Sequence, residues 1–193
     1  IGCATGDFLY YLSICYPKAS LYGADINEEL LKRMKKEVPS IKGIFQIDIS
    51  NLTMDIGKYD VVFMFGVHSI FDDLKCLLSV KSLLKDNFSR AYIFGIWNPE
   101  DLDVIIKSRK SIADGKFEKG WNVFSKTTVA KFLKVNGLNF NFRDFNINLD
   151  IIKNEEDPLR SWTIESNTGD KIVINGLCLI HHFSLLEFSL NET

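Results

Sequence analysis

The sequence has few cysteines, and no two of them lie close together. Only four occur in 193 residues: Cys3, Cys15, Cys76 and Cys178. Because they form neither a Cys-x-x-Cys pair nor a cysteine–histidine cluster, the sequence indicates neither a zinc site nor a disulfide framework. We therefore predict a reducing, cytoplasmic setting.

An excess of basic residues and long apolar runs are also absent. The formal net charge is −2, and the basic residues are scattered apart from one cluster at 32–36. That cluster has the pattern of the solvated face of an amphipathic helix, so we predict no nucleic-acid partner. No uncharged apolar run is long enough to span a bilayer and no secretory hydrophobic region is visible, so we predict no membrane partner either.

The chain contains enough apolar residues to form a hydrophobic core. Hydrophobic residues make up 46% of it and aromatic residues 12%, which favours one domain over 1–193. Strand-like and helix-like stretches alternate in the first half, and this order predicts a parallel, doubly wound α/β sheet. The strands are predicted at 21–24, 44–47, 59–65 and 91–97.

The second half begins with a weaker pattern and ends in β-rich segments. We predict an insertion over the active face at about 98–124, including a helix at 102–112, and an accessory β-hairpin within about 157–176. A helix capped by Ser125 follows the insertion. No helix separates the last two strands of the main sheet, so they are predicted to pair antiparallel.

A glycine-rich loop opens the chain and runs directly into a helix. Glycines in the run Gly2-Cys3-Ala4-Thr5-Gly6 let the backbone approach a ligand without side-chain obstruction. Such a turn at a helix N-terminus in an α/β unit is typical of a nucleotide or cofactor loop. A strand normally leads into it, so we expect the first strand to be missing before Ile1.

Taken together, this order resembles the class I S-adenosylmethionine-dependent methyltransferases, a Rossmann-like family. The loop resembles the family's first motif, with Ala4 in place of the usual middle glycine. Asp25 and Asp48 match the acidic residues after the second and third strands, and 65–68 matches the turn after the fourth. The resemblance implies a three-layer sandwich whose mostly parallel seven-stranded sheet ends in an antiparallel pair.

The resemblance also implies a donor site for S-adenosyl-L-methionine, which leaves as S-adenosyl-L-homocysteine. One carboxylate can accept from both hydroxyls of a ribose, which suits Asp25, and Asp48 would accept from the adenine amino group, with Ile49 against the ring face. The full set of predicted cofactor-binding residues is Gly2, Cys3, Ala4, Gly6, Asp25, Ile26, Asp48, Ile49, Phe65 and Gly66.

Two other interpretations remain open at this point. An NAD-binding Rossmann oxidoreductase is disfavoured by the loop, which reads G-x-x-x-G rather than G-x-G-x-x-G, and by the antiparallel end of the sheet. The second interpretation is a methyltransferase-like protein that binds a cofactor or a partner without catalysis. Acidic residues after strands are also frequent helix caps, which is the alternative role for Asp25 and Asp48.

The predicted catalytic residue is His68, which follows the fourth strand where the methyl group should point. It is a candidate base because imidazole titrates near neutral pH, and the alternative is that it only anchors its loop. The residues predicted to line the acceptor pocket are His68 itself, Trp97, Asn98 and Trp121. Arg160 and Trp162, near the hairpin, would either close this pocket or form a homodimer contact.

The acceptor is predicted to be a small molecule or a sugar, methylated on oxygen or nitrogen. The turn F-G-V-H lacks the N/D-P-P-Y/F pattern that nucleic-acid amino-methyltransferases show. No set of Asp and Asn ligands is placed for a metal-assisted site, so no metal is predicted. His181 and His182 are adjacent in a predicted strand, face opposite sides and are interpreted as structural.

Overall fold

The computed structural model describes residues 1–109 and 115–191. These residues form four α-helices and a mixed β-sheet flanked by smaller β-units. The helices are α1 (Asp7–Cys15), α2 (Glu28–Glu37), α3 (Lys75–Ser82) and α4 (Lys126–Val135). None of the helices in these two described ranges is long and apolar enough to cross a membrane.

Side-chain caps fix where two of the helices begin. Asn27 accepts hydrogen bonds from the backbone N–H groups of Glu29 at 2.9 Å and Leu30 at 3.2 Å, at the start of α2. Ser125 accepts from the N–H of Thr128 at 3.0 Å at the start of α4. Such caps satisfy N–H groups that have no partner inside the helix, so both predicted starts are confirmed.

The β-structure divides into a parallel pair and a larger mixed sheet. β1 (Tyr22–Asp25) lies parallel to β2 (Gly43–Gln46). The larger sheet has the order β3-β4-β11-β8, and the two-residue β7 pairs with the end of β4. Its strands are β3 (Val61–Phe65), β4 (Arg90–Asn98), β7 (Phe124–Ser125), β8 (Leu138–Asp144) and β11 (Phe183–Leu190).

β11 is antiparallel to both of its neighbours, β4 and β8, whereas β3 and β4 are parallel. The predicted α/β class and antiparallel finish are thereby confirmed. The first three residues lie between the two sheets: the Ile1 amine donates to the carbonyl of Phe63 at 2.7 Å, and the N–H of Cys3 donates to the carbonyl of Ala24 at 3.1 Å. The seven-strand count and the missing first strand stay predictions.

The main core lies on the face of β4 that α3 and α4 cover. Leu77, Ile93, Trp97, Leu133 and Phe188 are fully enclosed there. Helices α1 and α2 enclose a second, smaller cluster with β1 and β2. Alternate residues of a strand face opposite sides, so Trp97 points into the main core and its neighbour Ile96 points away from it.

The predicted insertion is β-structured rather than helical. In place of a helix at 102–112, β5 (Lys107–Ser108) pairs antiparallel with β6 (Glu118–Lys119), and Val104 forms a bridge with Val123. The helix prediction is therefore wrong for residues 102–109, and its remaining part at 110–112 lies outside the described residues. Short β-pairing satisfies the backbone of this segment instead.

The accessory hairpin is confirmed by β9 (Trp162–Glu165) and β10 (Lys171–Ile174), which pair antiparallel. Arg160 lies just before it, 3.4 Å from the carboxylate of Asp157. The ammonium group of Lys153 lies 5.4 Å from the ring centre of Trp162, which gives this tryptophan an intramolecular contact.

Candidate active site

The glycine-rich loop turns through left-handed backbone conformations. Gly2, Ala4 and Gly6 all have positive φ, at 65°, 46° and 89°. A Cβ atom on Gly2 would lie 2.3 Å from Cγ2 of Val67, and one on Gly6 would lie 2.4 Å from Cγ of Met34. Both glycines are thus required by conformation and by close packing, and Ala4 fills the exposed position between them.

Asp25 links this loop to the end of β1. One carboxylate oxygen accepts from the N–H of Ala4 and the other from the N–H of Asn27, both at 2.9 Å. Asp25 is half-buried, while Ile26 beside it is exposed. Each oxygen retains a second lone pair, so the carboxylate can fix the loop and still accept from a ligand.

Asp48 and Ile49 have different surroundings. One oxygen of Asp48 accepts from the N–H of Ser50 at 2.8 Å and from its hydroxyl at 2.7 Å, which caps a short 3-10 helix at Ile49–Asn51. Asp48 is exposed. Ile49 is buried in the main core and packs with the hydrophobic cluster there, so its side chain faces away from solvent.

Phe65 and Gly66 stand at the carboxyl end of β3, next to an open space. The N–H of Gly66 donates to the carbonyl of Phe94 at 2.9 Å, which fixes the turn against β4. Nothing lies within 4 Å of a Cβ atom placed on Gly66. Cys3 is half-buried on the other side of the loop, and burial raises the pKa of its thiol, which keeps it protonated.

A cavity of about 410 Å³ begins at Gly66 and extends beneath the insertion. This size suits a small molecule. Its walls come from the ends of β3 and β4, from β11, from the insertion and from the segment before the hairpin. They are formed by Gly66, Ser69, Ile70, Phe94, Gly95, Ile96, Ser108, Glu118, Lys119, Gly120, Trp121, Leu159, Ser161 and Phe183.

Of the four predicted pocket residues, Trp121 alone lines this cavity. Trp97 is fully buried, and its indole N–H donates to the carbonyl of Ser184 at 3.2 Å. Asn98 holds its own loop: its amide donates to the carbonyl of Leu102 at 2.8 Å, and its oxygen accepts from the N–H of Glu100 at 3.1 Å.

His68 lies beneath the cavity wall rather than in it. Its ring is fully buried and stacks on Trp97, with ring centres 4.0 Å apart and an angle of 13° between the planes. A Cβ atom on Gly95 would lie 1.9 Å from Cε1 of the imidazole, so only glycine fits there. Burial lowers the pKa of His68 to about 4, and the ring is therefore neutral near pH 7.

The sequence prediction missed Ser161 and its partner. Ser161 lines the cavity, and its hydroxyl lies 3.1 Å from Nδ1 of His181, a residue interpreted from the sequence as structural. These two residues are far apart in sequence, and no local pattern connects them. The position of Ser161 beside the accessory hairpin was the one available signal.

Among the described residues, no three side chains of His, Cys, Asp or Glu converge as a metal cluster would require. The candidate site consists of a tight loop, two strand-end aspartates and an adjoining apolar cavity.

Comparison with known proteins gives one family match and several similar folds. A family model described as a methyltransferase domain matches residues 1–87. Among proteins of curated function, no match to the sequence is found.

The solved structures with similar folds include two that match this chain over nearly its whole length. A SAM-dependent methyltransferase from Methanosarcina mazei has 17% identity and a TM-score of 0.62, covering 99% of this chain and 91% of that one. The YcgJ protein from Bacillus subtilis has 13% identity and a TM-score of 0.64, covering 100% of this chain and 90% of that one.

A third similar structure is the magnesium protoporphyrin IX methyltransferase of Synechocystis PCC 6803, whose structure contains bound SAM. It has 14% identity and a TM-score of 0.54, covering 98% of this chain and 67% of that one. The family model thus covers the first 87 residues, and the similar structures share the α/β fold that the sequence predicted.

Proposed function

We propose that this chain transfers a methyl group from S-adenosyl-L-methionine to an oxygen or nitrogen of a small-molecule or sugar acceptor. The observation that supports this most directly is the hydrogen bond between Asp25 and the N–H of Ala4, which fixes the glycine-rich loop to the carboxyl end of β1. In parallel α/β sheets, ligands bind beyond the carboxyl ends of strands at such a position.

The donor would lie along the strand ends, from Asp48 through Asp25 and the loop to Gly66. Asp25 would accept from the ribose hydroxyls with the lone pairs that Ala4 and Asn27 leave free, and Asp48 from the adenine amino group. The exposed side chain of Ile26 would cover one face of the adenine. Ile49 would contribute mainly through its backbone, since its side chain is in the core.

The donor supplies a sulfonium methyl group that is already activated. The work left to the protein is to align the acceptor with that group and to exclude water, and alignment can lower a barrier by about 7–11 kcal/mol. The cavity next to Gly66 would hold the acceptor. His68 would support this wall from below, because it lies against Gly95 and Trp97.

The test is donor binding by calorimetry, with S-adenosyl-L-homocysteine as the probe. We expect Asp25→Ala to weaken binding by about 1.5–3 kcal/mol, the scale for hydrogen bonds to a charged group. Asp25→Asn retains one oxygen for the loop and serves as the matched variant, with a smaller loss. Unchanged affinity in both variants contradicts the ribose assignment.

The same titration separates the alternatives. NADH in place of S-adenosyl-L-homocysteine should show no binding, and the opposite result favours the oxidoreductase interpretation. Tight donor binding without turnover on a broad acceptor panel favours a non-catalytic role. A cytoplasmic location and a homodimer contact at Arg160 and Trp162 stay predictions, which fractionation and sedimentation can check.

A further inference from the structure

The cavity beside Gly66 has mainly aromatic and aliphatic walls. Phe94 and Phe183 come from adjacent strands and stack with ring centres 5.3 Å apart and planes 7° apart. Trp121 faces the same space from the insertion. Aromatic, apolar walls favour an apolar aromatic ligand, because ring contacts bury area and gain favourable quadrupole interactions.

The positive charge in this wall is already paired. Lys119 forms an ion pair with Asp72, and Asn122 donates to the same carboxylate at 3.2 Å. Glu118, the neighbour of Lys119 in β6, adds a negative charge to the lining. The cavity therefore offers an anionic ligand no surplus of positive charge, and an uncharged ligand fits it better.

One hydroxyl group is held in the wall by a buried imidazole. The Ser161 Oγ atom lies 3.1 Å from Nδ1 of His181. The imidazole lies between Trp121, whose ring centre is 5.4 Å away, and Phe183, whose ring centre is 5.5 Å away. The backbone N–H of His181 donates to the carbonyl of Val173 at 2.8 Å, which fixes the residue to the hairpin.

Ser161 keeps a hydrogen-bonding position for a ligand in either tautomer of His181. Burial lowers the pKa of this imidazole to about 4, so it is neutral near pH 7 and carries one N–H. If Nδ1 accepts, the lone pairs of Ser161 stay open; if Nδ1–H donates, the hydroxyl proton of Ser161 stays open. A ligand hydroxyl fits both cases because it can donate and accept.

We propose that the cavity binds an uncharged, planar aromatic acceptor that carries a hydroxyl group, and that this hydroxyl bonds to Ser161. His181 is a positioning residue, which holds the Ser161 hydroxyl between Trp121 and the hairpin. This inference rests on the proposed function, since it names the acceptor class for the same site.

The test compares two probes that differ by one hydroxyl, 2-naphthol and naphthalene, in the presence of saturating S-adenosyl-L-homocysteine. Their dissociation constants follow from quenching of protein fluorescence. Ser161→Ala should weaken 2-naphthol binding by about 3–10-fold, the range of one neutral hydrogen bond, and leave naphthalene binding within about twofold. Ser82→Ala, which removes an exposed hydroxyl that does not line the cavity, should leave both constants within about twofold.

Two variants of His181 test its positioning role. His181→Phe keeps a ring between Trp121 and Phe183 but removes both nitrogens, so it should weaken 2-naphthol binding as Ser161→Ala does. Combining the two substitutions should cause no further loss. His181→Asn places an amide near the Nδ1 position and should restore at least half of the lost affinity. A structural role alone predicts that naphthalene binding falls equally and that Asn restores nothing.

Several results would overturn the proposal. If 2-naphthol affinity is unchanged in Ser161→Ala, the hydroxyl contact is wrong, even if His181→Phe does not fold. If 2-naphthoate binds more tightly than 2-naphthol, the acceptor is not uncharged. If S-adenosyl-L-homocysteine binds and 2-naphthol does not, the acceptor class fails and the proposed function stands. If the donor product itself does not bind, the proposed function fails, whereas 2-naphthol binding to the free protein still tests the cavity.

Discussion

Two histidine–tryptophan stacks occupy different regions of this molecule. His68 and Trp97 are enclosed in the main core, with ring centres 4.0 Å apart. His181 and Trp121 lie at the cavity wall, with ring centres 5.4 Å apart. Burial lowers the pKa of both imidazoles to about 4. Their ring nitrogens differ, because Nδ1 of His181 meets a serine hydroxyl and Nδ1 of His68 has no partner among the described residues.

The difference shows that the neighbours of a histidine decide its role more than its place in the chain does. His68 follows the fourth strand of the predicted series, where a base would be expected, but it fills space against Gly95. His181 lies outside that series and holds a hydroxyl at the cavity. The four predictions below test this contrast.

The largest expected effect is on the pH dependence of folding. Unfolded histidine binds a proton below about pH 6.5, whereas the folded protein resists protonation of both rings until about pH 4. Stability is therefore complete above pH 6.5 and falls as the pH drops toward 4. Between pH 7 and pH 5 the free energy of unfolding should fall by about 2 kcal/mol for each histidine.

Urea unfolding at the two pH values measures this loss. His181→Phe should retain about half of the wild-type difference, since one titrating ring remains buried. Equal stability at pH 7 and pH 5 in the wild type contradicts the burial of both rings.

The next effect concerns the contact between Gly95 and His68. Gly95→Ala should reduce the free energy of unfolding by about 3 kcal/mol, because the added methyl group overlaps the imidazole. In a His68→Ala background the same change should cost less than about 1 kcal/mol, since the overlap is gone. A double-mutant cycle by urea unfolding gives the coupling.

The His68→Ala variant also tests the predicted base. A positioned base contributes about 10²–10⁴-fold to the rate. If the variant loses that much of the rate while its stability and donor affinity are unchanged, His68 acts as the base. We expect reduced stability and a rate change below about tenfold instead. The measurement uses any acceptor that the wild-type protein methylates.

The smallest effect separates the two tryptophans. Trp97→Phe removes an indole N–H from a buried carbonyl and should cost about 2 kcal/mol of unfolding free energy. Trp121→Phe, at the cavity, should cost about 0.5 kcal/mol or less, because a surface-facing ring of similar shape replaces it. If both variants lose a similar amount of unfolding free energy, the distinction between the histidine–tryptophan stack in the core and the one at the cavity is wrong.

The sequence predicted the parallel part of the fold well because its signals are local. Asn27 and Ser125 cap the helices that they were predicted to cap, and the runs of apolar residues match β3 and β4. The hairpin at 162–174 was also predicted, from the residues of its two strands and the turn between them. Each of these elements depends on neighbours within a few positions, so the chain alone specifies them.

The insertion and the cavity could not be predicted in the same way. Weak helical spacing at 102–109 is overridden by pairing with residues 118–119 and 123. Trp97 was assigned to the pocket because it ends a strand, but strand alternation turns it into the core. The contact between Ser161 and His181 forms only when the hairpin folds onto the sheet, and tertiary packing of that kind leaves no local pattern.

The strand order of the larger sheet has a consequence for how the chain folds during translation. β11 lies between β4 and β8, although both of those strands leave the ribosome earlier. Until residues 183–190 are synthesised, β4 and β8 each present an unpaired edge that another chain could extend. The nascent polypeptide is therefore most exposed to aggregation shortly before translation supplies β11, and a chaperone that shields these edges would raise its yield most at that stage.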